Sequence, residues 1–167
     1  MHRTSSERTP VPVATSPFDE REGQFSPDGQ WVAYQSNESG TFEIYVQPFP
    51  KAEGRWQVSQ GGGVQVRWHP DGHELFYMGL DGRLFAAPVS MNTGGAVQTG
   101  TSVPLFNPVT AGGAIPGTDR QQYSVARDGR FLAMVRPDGS STAQIEVILN
   151  WSKARGLTPT STPSGRR

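Results

Sequence analysis

The chain contains no cysteine. That excludes a disulfide framework, a thiolate zinc site and a cysteine nucleophile, and it leaves the redox compartment unread. Nor is there an excess of one charge, since 15 basic and 15 acidic residues give a formal net charge of zero. The electrostatic case for nucleic acid or an anionic membrane surface is thereby removed. Long apolar runs are missing as well. FLAMV, Phe131 to Val135, is among the longest at five residues, against the roughly 18 that a membrane span needs. The opening MHRTSSERTPVPVATSP lacks the apolar core of a secretory signal. The expectation is a soluble chain with no membrane insertion and no address of its own.

Hydrophobic residues (34%) and charged residues (18%) are both scarce compared with ordinary globular domains. What fills the space is glycine and proline, 20 and 14 of 167 residues, about a fifth of the chain against a usual share of roughly 12%. Such a composition favours short strands joined by tight turns over long helices. Residues 1–9 and 152–167 are rich in Ser, Thr, Pro and Arg with almost nothing to bury, and they read as disordered ends.

The interior repeats. FSPDGQWVAYQS from Phe25, WHPDGHELFYMG from Trp68 and VARDGRFLAMVR from Val125 superpose without gaps. Each holds an aromatic or β-branched residue, a turn ending in Asp-Gly and an apolar strand. Pro27 presets φ for the first central position of a type I turn, Asp28 suits the second, and Gly29 supplies the positive φ that closes the hairpin. His69-Pro70-Asp71-Gly72 repeats this, and Ala126-Arg127-Asp128-Gly129 keeps the Asp-Gly without the proline.

Flanking strands recur too: FEIYVQPF (42–49), RLFAAPVS (83–90) and AQIEVILNW (143–151) follow the hairpins, and VPVAT (11–15), WQVS (56–59) and SVPLF (102–106) precede them. The expected unit is four antiparallel strands, repeated at about 10–50, 55–90 and 102–151. Four strands at such a period are the mark of a β-propeller blade. The strands agree, because Trp31/Ala33 and Val32/Tyr34 are apolar on opposite faces, as are Leu75/Tyr77 and Phe76/Met78. Strands apolar on both faces belong to a sheet covered on both sides. The fold class is all-β, a β-propeller of three four-stranded antiparallel blades; a β-sandwich is the rival.

The runs FDEREGQFSPDGQWVAYQSNESGTFEIYVQPFP (18–50), GRWQVSQGGG (54–63), WHPDGHELFY (68–77) and VILNW (147–151) resemble TolB-like, WD-repeat-like propeller repeats. Such repeats occur at the C-terminus of bacterial serine/threonine protein kinases, and similar ones in TolB and the prolyl oligopeptidase class. The resemblance implies a ring of six to eight blades with its ligand or partner surface on the axial face. By resemblance alone it also implies an extracytoplasmic, periplasmic setting. A kinase domain and a membrane helix are absent from this sequence, so kinase activity does not carry over.

Propellers close with at least four blades, and three would leave an apolar face bare at each end of the arc. Two explanations stand: the chain is the C-terminal part of a larger protein, or two chains pair as a homodimer into a six-bladed ring. An open arc is the third.

Catalytic motifs are missing. There is no kinase H-R-D or D-F-G segment, no G-x-S-x-G elbow, no phosphate loop and no H-E-x-x-H helix. His69, Asp71, His73 and Glu74 share one turn and offer imidazole and carboxylate donors. The repeat places Ser26 and Gln30, then Ala126 and Arg130, at the histidine positions, so they read as solvent-facing turn residues and no metal or cofactor is expected. Asp19, Glu20 and Glu22 read as an exposed loop and not as a glycosidase pair. Trp31, Trp56, Trp68 and Trp151 read as packing between blades. Asn37-Glu38-Ser39 and Asn150-Trp151-Ser152 match a glycosylation pattern that is idle in a bacterial setting. The expected function is a non-catalytic module that binds or senses a protein or small ligand at the axial face. The alternative is a regulatory propeller segment of a kinase or peptidase whose catalytic domain lies elsewhere. Arg55, His69, His73 and Arg130 differ between repeats and are the candidate binding residues.

Overall fold

The computed structural model describes residues 10–51, 53–92, 96–108 and 121–134, and the backbone of 135 and 144–148. The expected disordered ends and Trp151 lie outside them. Twelve strands are present among the described residues. The first sheet comprises β1 (Glu20–Phe25), β2 (Trp31–Ser36), β3 (Glu43–Pro48) and β4 (Trp56–Gln57) in sequential order, every pair antiparallel. The second runs β5 (Val64–Trp68), β6 (Glu74–Met78) and β7 (Leu84–Met91). Along its outer edge β7 pairs with β8 (Val97–Thr99) at one end and β9 (Val103–Phe106) at the other. The third holds β10 (Tyr123–Val125), β11 (Phe131–Val135) and β12 (Gln144–Ile148). The chain is all-β and antiparallel.

The sheets stack face to face. Trp31, Ala33, Ile44 and Val46 of the first sheet form one core with Val66, Leu75, Tyr77 and Val89 of the second. The opposite face of the second sheet, Val64, Phe76, Met78 and Leu84, forms another core with Tyr123, Phe131 and Ala133 of the third. Leu75, Phe76 and Met78 are all fully buried, as alternation on a doubly covered sheet requires. Aromatic edges seal the second core, with Phe131 against Phe76 at 4.8 Å between centroids and against Phe106 at 5.6 Å.

The inner strands are also tied by side chains. Register slips in β1 between Arg21 and Gln24, and in β5 between Val64 and Arg67. At these bulges Glu22 and Gln65 take positive φ, 55° and 58°. A bulge leaves an N–H without a ladder partner. Gln35 Oε1 accepts the N–H of Gln65 at 3.0 Å, and Gln65 Oε1 accepts that of Gln122 at 3.0 Å. The row ends at Gln122, whose Oε1 is buried without a partner among the described residues.

Four expectations are corrected. First, the strand quartets are offset: WQVS and SVPLF close the preceding sheet as β4 and β9 instead of opening the next one. Each turns back onto the third strand of the sheet before it, β3 or β7, which moves the sheet boundaries to about 20–57, 64–106 and 123–148. Second, residues 11–15 form no strand. Third, the third repeat is one residue short in its hairpin. Ser26 and His69 donate to the carbonyl five residues on, whereas Ala126 donates to that of Arg130, four on. Phe131 therefore matches Val32 and Leu75 in space.

Fourth, the outer face of the first sheet is not bare. Val32, Tyr34 and Tyr45 are 3 to 4% exposed, with Val13 packed against them. The segment 10–19 crosses this face as a strap, and Gln47 Nε2 donates to the Val13 carbonyl. Asp19 N–H bonds Asn37 Oδ1 at 2.9 Å, fixing its far end. At the other end of the stack, Leu132 on the outer face of the third sheet is 44% exposed.

Candidate functional site: the cleft between two hairpins

The Asp-Gly turns form as their residues dictate. Gly29, Gly72 and Gly129 have φ of 71°, 79° and 79°, a region that costs a residue with Cβ appreciably. The N–H of each reaches the carbonyl three residues back at 2.9 to 3.0 Å. The aspartates lock the turns from the side: Asp28 Oδ1 accepts Gln30 N–H at 3.1 Å, and Asp71 Oδ1 accepts His73 N–H at 2.8 Å. Ser26 Oγ adds a bond to Asp28 Oδ1 at 2.5 Å.

Because the first two sheets stack, their hairpins lie side by side, and a Cβ on Gly72 would sit 3.6 Å from Pro27. Between them opens a cleft of about 470 Å3. Trp31, Pro48, Phe49 and Met91 supply its apolar surface, and Asp28, Asp71 and His73 are its titratable lining. Among the described residues no lysine or arginine lines it. Hydrogen bonds from Ser26 and then from the Gln30 amide hold the Asp28 carboxyl below its usual range. Burial pushes Asp71 up, but bonds from the His73 amide and from His69 outweigh it, so that its pKa is also lowered. Both are carboxylates at neutral pH.

The candidate residues fare unequally. His73 lines the cleft. His69 is half-buried with its ring edge-on to Phe76 at 5.8 Å, so it does not face solvent as expected. Its Nδ1 lies 2.8 Å from Asp71 Oδ1 and 3.3 Å from the Asp71 N–H. An Nδ1–H donates to the carboxylate, and an Nδ1 without its proton accepts from the amide.

Arg55 is elsewhere. It pairs with Glu38 at 2.7 Å and borders a groove of about 260 Å3 between the strap and the first sheet, with Val13, Ser16, Glu20 and Tyr34. Burial foremost, then the Glu20 charge, pushes the Tyr34 phenol up to about 12. Arg130 pairs with Asp128 at 2.7 Å, and because the third hairpin is short it matches Trp31 and Glu74, not Gln30 and His73. Glu20 and Glu22, expected on a loop, belong to β1, and Glu22 accepts a hydrogen bond from Gln121, two residues ahead of β10. Among the described residues no three His, Asp or Glu side chains converge as metal ligands, and no helix is long and apolar enough to cross a membrane.

Sequence reasoning missed the cleft's apolar surface. Trp31 packs between the first two sheets as expected and is 6% exposed, and the place of its edge beside two turns depends on how the sheets stack. Phe49 follows and Met91 ends the third strand of its sheet, a shared position that was available as a signal.

No protein-family model matches the chain, and no curated protein matches it. Solved structures do. A protein assigned as a 6-phosphogluconolactonase from Bacteroides uniformis is 17% identical at a TM-score of 0.46, over 79% of this chain and 37% of that one. TolB from Acinetobacter baumannii is 16% identical at 0.41, over 81% and 42%. An oligogalacturonate lyase from Vibrio parahaemolyticus is 13% identical at 0.41, over 70% and 30%. The chain thus spans less than half the length of each.

Proposed function

We propose that the chain is a non-catalytic binding module, a partial β-propeller that engages a protein or small ligand at its hairpin end. The observation that carries the reading is the middle sheet, buried on one face by the first sheet and on the other by the third. Fanned sheets covered in this way are what a propeller requires. Two features favour further sheets beyond the third: the exposed Leu132 and the buried, unpartnered Gln122 Oε1. The close titratable contacts serve the fold. His69 and Asp71 hold a turn, and Glu43 takes Ser59 Oγ and the Gly62 N–H.

The test is a defined array of synthetic peptides and oligosaccharides, scored for retention on the immobilised chain and for the mass of what is recovered. Retention with unchanged mass supports the module. A cleaved or altered ligand overturns it, as does an array without a single binder.

A further inference from the structure

The cleft between the first two hairpins has a composition that narrows what it can hold. It combines two carboxylates with an apolar surface from Phe49, Met91 and the edge of the mostly buried Trp31; His69 pairs with one of them, and among the described residues no lysine or arginine lines it. Bare inorganic cations gain nothing from the apolar part, and neutral apolar ligands gain nothing from the two exposed carboxylates. An organic cation on an apolar stem satisfies both, because long basic side chains lay their methylenes on apolar surface and keep the charge at a polar rim. Aromatic rings beside the charge add to the attraction.

We propose that this cleft recognises an arginine or lysine side chain presented by a protein segment, its stem against Trp31, Phe49 and Met91 and its charged end between Asp28 and Asp71. The inference rests on the binding-module reading and assigns that module's partner chemistry. A protein segment fits better than a free amine. The cleft is partly open to solvent, so flanking backbone can leave it beside His73 and Asn92, which also line it. Asp28 and Asp71 sit on the outer rim at the turn tips, and exposed charge there acts more on encounter and selectivity than on raw affinity.

The test is isothermal titration of the full chain with a leucine-flanked arginine hexapeptide, the same peptide with citrulline for arginine, and free arginine amide. A D28N/D71N variant is titrated alongside. Asparagine keeps the Oδ1 acceptor that both turns use, and near-UV circular dichroism checks that the hairpins persist. The arginine peptide is expected to bind about three- to tenfold more tightly than the citrulline peptide, and to lose that advantage in D28N/D71N. Its affinity should fall as salt rises past the point where the Debye length shrinks to about 8 Å. Equal binding of the arginine and citrulline peptides overturns the cation assignment while leaving the module intact. Undiminished arginine binding by D28N/D71N does the same. Free arginine amide binding as tightly as the peptide overturns the protein-segment partner. Failure of every peptide here and in the array overturns both readings together.

Discussion

The side-chain carbonyl of Gln35, in the second strand of the first sheet, accepts the backbone N–H of Gln65 across the junction between sheets. Both residues are almost wholly buried, at 2% and 1% exposure. A buried donor stripped of its acceptor costs about 1 to 3 kcal/mol. Gln35→Met, which keeps the volume and removes the acceptor, should therefore lower stability by about that amount in urea unfolding. Gln30→Met on the exposed turn should stay within about 0.5 kcal/mol. Equal effects at the two positions would show that the inter-sheet bond contributes nothing.

The short third hairpin sets which neighbours meet the second sheet. Phe131 is fully buried against Phe76 and Phe106, while its neighbour Leu132 is 44% exposed. Phe131→Ala should cost about 3 to 5 kcal/mol, and Leu132→Ala about 0.5 or less. Thermal or urea denaturation of the two single variants decides the matter, and a reversed order would mean that the strand is turned over.

All four tyrosines, Tyr34, Tyr45, Tyr77 and Tyr123, have phenols pushed above their usual range, burial being the main cause in each. For Tyr34 the value reaches about 12. A phenol that resists ionisation only in the fold leaves stability unchanged below pH 10, where both states are neutral. Above that the unfolded chain sheds protons first, and stability falls as pH rises. Ultraviolet titration should show tyrosinate appearing later than for free tyrosine, with a rise that coincides with loss of near-UV circular dichroism. A gradual component near pH 10 in the folded protein would contradict the burial of these side chains.

The strap is held on the first sheet by Val13 and by its carbonyl's bond from Gln47. Val13→Asp places a charge against Val32, Tyr34 and Tyr45 and should release the strap at a cost of about 1 to 2 kcal/mol. The sheet itself should persist, because its core with the second sheet lies on the other face. Expected signs are stronger binding of a hydrophobic dye and faster proteolysis within 10–19. Unchanged dye binding would mean that the strap screens nothing.

Much of this architecture can be read from residues alone, because the determining interactions are local. The Asp-Gly turns, their glycines at positive φ and the two apolar faces of WVAYQS and ELFYM follow from neighbours within a few positions. What escaped reading depends on the space between segments. Nothing inside WQVS or SVPLF says which side of a gap it will pair with, and deletion of one residue from VARDGR is invisible to an alignment of apolar letters. The site was less legible for the same reason. His73 reaches the cleft because two turns stack, whereas Arg55 finds Glu38 because the strap and the sheet leave it that path.

The glutamine row has a consequence for how separable these sheets are. Repeats that touch only through oily surfaces can be traded or trimmed at modest loss, since water simply wets a new boundary. Here each junction also carries a backbone donor whose acceptor belongs to the adjoining unit. Cutting the array between units would strand that donor, so shuffling or truncating them is penalised by specific chemistry beyond lost contact area.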